Sequence, residues 1–324
     1  MPCWSTSRGA ATRTSARWRV WKASSYEDAP IPAKVSDIAS AWPLLAPLAW
    51  RLASGWAVSR RLDHAFARAA KARRAAFIPY ISAGDPSPAH TLVLVRALER
   101  AGADLVELGV PFSDPIADGP TNQRAAERAL AQGTTLSSVL EIVRELRYVS
   151  ELPVVLFTYF NPVHAYGLSR FAVDAASAGV DGVLFTDVPA EEAAPPHDAL
   201  ANVGLDLVPL LAPTSTRERI KAVRKLAGSF VYFVSRAGVT GVRDHLEEGL
   251  EDQVRLVRKL TRTRVAVGFG VSTPEQVQRV ARFADGVVVG SAIVDLIGEL
   301  GNRAELPGEI ESFARSLALA TRRK

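Results

Sequence analysis

The sequence predicts an α/β protein of the closed (β/α)8, or TIM, barrel class, preceded by a separate N-terminal extension. Three observations carry that prediction. From Ala76 onward, short apolar runs alternate with amphipathic stretches, which implies parallel strands joined by crossover helices. Eight such units in about 260 residues fit a barrel closed on itself. Loops rich in glycine, proline and aspartate follow the strands, at the ends where barrels place their chemistry. A doubly wound sheet is the alternative, but it usually carries G-x-G-x-x-G after its first strand, and this chain does not.

The predicted strands are Phe77–Ser82, Leu105–Gly109, Val154–Tyr159, Gly182–Thr186, Asp206–Leu211, Phe230–Ser235, Val265–Phe269 and Gly286–Val289. Each is a short, apolar or β-branched run, as expected of strands buried on both faces. The intervening helical patterns are Pro88–Ala101, Leu136–Tyr148, Leu168–Ala178, Glu191–Asn202, Thr216–Leu226, Leu246–Leu260, Thr273–Phe283 and Ala292–Leu300. Two capping boxes, Ser215 to Glu218 and Ser272 to Glu275, mark helix starts. The triplets beginning at Gly102, Gly179 and Ala284 each precede a strand and resemble one another, which hints at repeated half-units.

The chain has 324 residues and a net charge of +5. All of that excess lies in residues 1 to 60, which hold eight Lys/Arg and three acids, so the rest of the chain is balanced. All six Trp and the single Cys, Cys3, also lie there. The basic balance therefore says nothing about nucleic-acid binding by the folded domain, and none is expected. One Cys excludes an intrachain disulfide and fits a reducing compartment. The domain boundary is placed at residues 58 and 59. Residues 1 to 26 contain Arg, Ser, Thr and Ala but no acid, like an organelle transit peptide. A bacterial start at Val58 is the other reading. The apolar stretch from Ala41 to Val58 is broken by Pro43, Pro47 and Arg51, which argues against a membrane span. All of these readings make the segment disordered or dispensable.

The chemistry concentrates between Glu107 and Pro120. Glu107 interrupts the apolar run Leu105, Val106 and Leu108, and Asp118 follows on the adjoining loop. A carboxyl group buried at a strand end has its pKa pushed toward working pH, which suits acid/base catalysis. The plainer alternative is a core Glu paired with an Arg, and an Asp-Gly turn. Gly268 and Gly270 after the seventh strand, with Gly290 and Ser291 after the eighth, form a phosphate cradle of close backbone amides and a helix N-terminus. Tight-turn glycines are the other reading. No His pair at ligand spacing and no Ser-His-Asp order points to metal or nucleophilic catalysis, and His64, His90, His164, His197 and His245 read as surface.

The stretch Glu107 to Pro120 (ELGVPFSDPIADGP) closely resembles the signature of the tryptophan synthase alpha subunit family, which are indole-3-glycerol-phosphate lyases. Phe77 to Pro86, Asp187 to Pro189, Gly238 to Gly241, Val267 to Gly270 and Gly290 to Val294 follow in the family's order, so the resemblance spans roughly Arg60 to Leu300. It implies retro-aldol cleavage of indole-3-glycerol phosphate to indole and glyceraldehyde 3-phosphate, in tryptophan biosynthesis, without a metal or cofactor. By that resemblance Glu107 is the catalytic acid and base, Asp118 accepts the indole N–H, and Tyr232 stands near the glycerol hydroxyls. Gly241 joins Gly270, Gly290 and Ser291 at the phosphate. Tyr80, Phe157, Tyr159, Leu184 and Phe269 enclose the indole. Thr240, on the loop from Ser235 to Gly241, bonds Asp118 on closure. Tyr80, Phe157 and Thr186 depart from the enterobacterial form, where Phe, Leu and Ala stand.

The resemblance further implies a pyridoxal-phosphate beta subunit as partner, in an alpha2-beta2 assembly, meeting Pro111 and Asp114. The location follows as cytoplasmic for a bacterial chain and plastid stroma if the extension is a transit peptide. Three other readings stand beside it. A stand-alone lyase releasing free indole would share every catalytic residue. A degenerate barrel that only activates its partner is opposed by intact Glu107 and Asp118. A sugar-phosphate epimerase would lack the Glu107–Pro120 loop.

Overall fold

Each apolar run does become a strand, and the strands pair side by side in parallel. In the computed structural model they are β1 (Ala76–Ser82), β2 (Val106–Gly109), β3 (Val154–Thr158), β4 (Gly182–Phe185), β5 (Asp206–Leu207), β6 (Leu210–Leu211), β7 (Phe230–Val234), β8 (Arg264–Gly268) and β9 (Gly286–Val289). Residues 60–235 and 249–323 are described, all within the unit Ser54–Lys324. The extension before residue 60 therefore lies outside the described residues, and the boundary at 58 and 59 with it.

The sheet order is β5-β4-β3-β2-β1-β9-β8-β7-β6. Its two outer strands are halves of one predicted strand, separated only by Val208 and Pro209. Val208 N–H donates to Val183 O at 2.9 Å on one side, and Tyr232 N–H donates to Pro209 O at 3.0 Å on the other. The sheet thus closes into a barrel through the covalent chain. Pro209 has no N–H to give to the ladder, which is why the fifth strand is split.

The helices are α1 (Arg60–Lys71), α2 (Pro88–Ala101), α3 (Pro120–Ala131), α4 (Leu136–Leu146), α5 (Phe160–Tyr166), α6 (Leu168–Ala178), α7 (Ala194–Ala201), α8 (Arg217–Val223), α9 (Leu250–Thr261), α10 (Pro274–Ala281), α11 (Ser291–Leu300) and α12 (Leu306–Ala320). The sequence reading anticipates eight of them and misses α1, α3, α5 and α12. Both predicted capping boxes are off by one residue. The caps are Thr216, which accepts from Arg219 N–H, and Thr273, whose reciprocal partner is Gln276. In each, the β-branched Thr takes the extended cap conformation and the preceding Ser does other work: Ser215 Oγ accepts from Ala212 N–H at 3.0 Å. Among the described residues no helix is long and apolar enough to cross a membrane.

Two buried layers follow from the alternation of side chains along each strand. One lies between the sheet and the helices and holds Phe77, Val106, Leu108, Leu156 and Phe233. The other fills the barrel itself, with Ala76, Ile78, Tyr80, Val155, Phe157, Phe230, Tyr232 and Ala266. Helix α1 contributes Leu62, Phe66 and Ala69 to this interior layer. That spacing puts all three on one helical face, and the ring of Phe66 lies 5.1 Å from that of Phe230. Helix α1 is therefore a plug in the mouth where the strands begin. Gly286 makes room for it, since a Cβ there would stand 2.9 Å from Ile78 Cδ1 and 3.2 Å from Phe66 Cε1.

The same end of the barrel shows the repeat hinted at by the triplets. Gly102 and Gly179 end α2 and α6 in the left-handed conformation, at φ 107° and 95°. The aspartates that follow each receive a backbone N–H from a neighbouring strand: Phe77 to Asp104 (2.8 Å), Val154 to Asp181 (3.0 Å) and Val265 to Asp285 (2.9 Å). Asp206, after Gly204, does the same for Ser229 (2.7 Å). Arg74, Arg147 and Arg258 pair with Asp104, Asp181 and Asp285. These bonds tie strand starts together at the face that barrels use for stability.

Candidate active site

Glu107 is the third residue from the end of a run whose neighbours Val106 and Leu108 face the helices. Strand alternation therefore turns Glu107 inward, beside its register partner Tyr80 on β1. The side chain is fully buried, and neither carboxylate oxygen has a hydrogen-bond partner among the described residues. Burial disfavours the charged form and pushes its pKa up to about 8. The alternative of a core Glu paired with an Arg does not hold. At neutral pH this side chain keeps its proton.

Asp118 is also buried, at the end of the loop between β2 and α3. Its Oδ2 accepts from the Tyr159 hydroxyl at 3.0 Å, while Oδ1 is buried without a partner among the described residues. Burial raises its pKa, opposed by Tyr159 and Asn122. Two carboxyl groups thus meet in one enclosure, but only one receives a protein hydrogen bond.

Tyr80 and Tyr232 complete the enclosure. Both hydroxyls are held protonated, first by burial and then by the neighbouring charges of Glu107 and Asp118. Each lies over a glycine that could not be anything else. A Cβ on Gly109 would fall 2.3 Å from the Tyr80 hydroxyl, and one on Gly268 would fall 1.9 Å from that of Tyr232. Tyr80 meets Phe157 edge-on at 5.2 Å, and Tyr232 meets Phe269 edge-on at 6.0 Å. Tyr80, Phe157, Leu184, Tyr232 and Phe269 all fall in the interior layer. Tyr159 does not. It caps the start of α5, beyond the end of β3, with its ring 5.2 Å from Phe112.

Phe269 and Gly270 after β8 are both left-handed, at φ 67° and 74°. A bulky residue rarely adopts that conformation, and here the Ser235 hydroxyl donates to the Phe269 carbonyl and holds it. Beside it, Gly290 caps α11, and its carbonyl accepts from Ile293 N–H (2.9 Å) and Val294 N–H (3.0 Å). The amides of Ser291 and Ala292 are left at the helix start, where an anion is favoured. Gly241 and Thr240 lie outside the described residues, so the segment after β7 is described only as far as Ser235.

Several groups at this end of the barrel escaped the sequence reading. Arg128 on α3 grips buried Asp85 through two bonds, of 2.7 and 2.8 Å, and anchors α3 to the loop after β1. Asn122, one turn after Asp118, lies close enough to influence it. Asp187, known from the sequence only as part of a family motif, receives the Phe160 N–H at 2.8 Å and so supports the start of α5. Nothing local marks the first of these pairs, because the partners are far apart in sequence. In the loop assigned to a partner, Asp114 and Ile116 are exposed, whereas Pro111 is buried.

The family model for the tryptophan synthase alpha chain matches residues 66–321. The tryptophan synthase alpha chain of Solibacter usitatus is 52% identical over 257 residues, covering 79% of this chain and 96% of its own. Among solved structures, tryptophan synthase subunit alpha from Legionella pneumophila superposes with a TM-score of 0.75 at 36% identity, covering 81% of this chain and 98% of that one. A structure described as the basis of mutual activation of the tryptophan synthase a2b2 complex from Pyrococcus furiosus matches with a TM-score of 0.71 at 40% identity, covering 76% and 98%. With this likeness running through barrel and acid-bearing loop alike, the chain belongs to the tryptophan synthase alpha chain family.

Proposed function

We propose that Glu107 and Asp118 are the groups through which this chain carries out the family's lyase reaction, the cleavage of indole-3-glycerol phosphate to indole and glyceraldehyde 3-phosphate. The observation that carries the reading is Glu107: an inward-facing, fully buried acid without a partner, protonated at neutral pH. Its proton goes to the indole carbon that bears the glycerol chain. The C–C bond then breaks, its electron pair returning to the ring, while the glycerol hydroxyl adjacent to that bond gives its proton to the Glu107 carboxylate. The acid ends as it began. Asp118 accepts the indole N–H and offsets the positive charge that develops on the ring. Tyr232 faces the glycerol hydroxyls, and Tyr80, Phe157, Leu184 and Phe269 enclose the apolar ring with Tyr159 at its edge. Gly270, Gly290 and Ser291, joined by Gly241, hold the phosphate.

These steps are proton transfers and need no cofactor in this chain. Pyridoxal phosphate belongs to the expected beta subunit, in an alpha2-beta2 assembly that the Pyrococcus complex supports. Exposed Asp114 and Ile116 are the groups this loop offers to that partner. The relatives' sources favour a cytoplasmic setting over a plastid. The test is steady-state indole release by the full chain. Glu107→Gln should lower it by roughly 10²–10⁴ while leaving the fold intact. A variant that keeps half the activity overturns the assignment.

A further inference from the structure

One side chain, Tyr159, meets the loop that carries Asp118 at several points. Tyr159 stands at the junction of β3 and α5, where it forms the cap of the helix and its backbone is fixed on both sides. Its hydroxyl accepts from the Ala117 N–H at 2.9 Å and lies 3.0 Å from Asp118 Oδ2. A phenol has one proton, and with Ala117 occupying a lone pair that proton points at Asp118. Its ring lies 5.2 Å from that of Phe112, on the same loop. Three points of the segment between β2 and α3 thus bear on Tyr159.

We propose that Tyr159 is a positioning residue that decides which oxygen of Asp118 meets the substrate: Oδ2 is held by the protein, and Oδ1 is the oxygen presented to the indole N–H. The inference rests on the reading of Asp118 as the N–H acceptor. The second observation behind it is Oδ1 itself, buried and without a partner among the described residues. A buried carboxylate oxygen without a partner is costly, and a donor brought by the substrate removes that cost. A free Asp118 could rotate and offer either oxygen. Tied through Oδ2, it offers one.

The groups that act on Asp118 come from several elements: Tyr80 from β1, Tyr159 from the end of β3, Tyr232 from β7 and Asn122 from α3, with Glu107 of β2 sharing the enclosure. Of these, the Tyr159 hydroxyl donates to the carboxylate directly and so favours its charged form. Asp118 must be ionised to accept the N–H, and Glu107 must be protonated to start the reaction. The pH profile of kcat/KM therefore has an acid limb set by Asp118 and a basic limb set by Glu107.

The experiment measures that profile for the full chain. Tyr159→Phe keeps the ring and loses the donor, so Asp118 ionises less readily. Its acid limb should move up by about one pH unit and the basic limb should stay, so the loss of activity approaches about tenfold well below the acid limb and vanishes on the plateau. Installing 3-fluorotyrosine at position 159 makes a stronger donor and should move the acid limb down. A merely structural role would lower the plateau without moving one limb alone. Asp118→Asn separates the two readings. If that variant remains active, the role of Asp118 fails. If it is inactive but neither change at position 159 moves the acid limb, the role of Tyr159 fails. Should Tyr159→Phe not fold, the fluorotyrosine chain decides, and an unmoved limb there overturns the proposal.

Discussion

Glu107 is uncharged in the folded chain at a pH where an ordinary glutamate is ionised, and this has a consequence for stability as well as catalysis. Its folded-state pKa of about 8 lies above the ordinary value of 4.5, so the native state holds a proton that the unfolded chain releases. The associated stability is complete below pH 4.5 and is lost as the pH rises to about 8. Gln cannot titrate. Between pH 4.5 and 8.5, Glu107→Gln should therefore gain on the order of 3–5 kcal/mol relative to wild type. Urea unfolding at both pH values measures it, and an equal gap at both would show that Glu107 is not held uncharged. The two acids were legible in the sequence, because a carboxylate in an apolar strand stands out, and so does a second on the following turn. The bond from Tyr159 to Asp118 and the grip of Arg128 on Asp85 were not. Each joins residues about forty positions apart that only the closed sheet brings together.

Elements were read well where packing and local preference agree. Helices α2 and α6 lie where their periodicity and terminal glycines place them. Helix α3 was missed because its buried face is only Ala125, Ala126 and Ala129, too small to print a hydrophobic period. The split of the fifth strand hangs on one missing N–H at Pro209, and a capping box can slip by a residue when Ser and Thr stand side by side. Helix α1 is short and stands before the first strand of the alternating pattern, although Leu62, Phe66 and Ala69 make one apolar face. As the plug of the barrel, α1 should matter to the fold. Phe66→Ala removes a ring 2% exposed and packed on Phe230, and should cost about 3–5 kcal/mol. Thermal unfolding of the full chain checks this; a loss below about 1 kcal/mol would mean that the mouth can close without it.

At the scale of the molecule, charge and tryptophan content separate the extension from the barrel. Removing residues 1–57 should leave an active lyase, since α1 begins at Arg60 and the family match at residue 66. With every Trp gone, the shortened chain should also lose its tryptophan emission. An aggregated or inactive product would show that the barrel needs the segment. The class of barrel was legible from the count and order of units, while partnership is a property of a surface that no single chain spells out. Lyase turnover should rise when a beta subunit docks and favours the closed loop, and Thr240→Val should keep docking but lose most of that rise. If the isolated chain is already as fast as the mixture, a lone lyase is the better description. Finally, the end of the chain is stitched back to the start of β1: Arg74 and Arg322 form an antiparallel bridge, and Arg323 N–H donates to Arg73 O at 3.0 Å. Both ends of the barrel are thus moored at the plugged mouth, a strand's length of about 15–20 Å from the reacting groups. That makes either end a convenient handle. A chain tethered to a solid support through its carboxyl terminus would face its open mouth to the solution, and its KM for substrate should match that of the free enzyme.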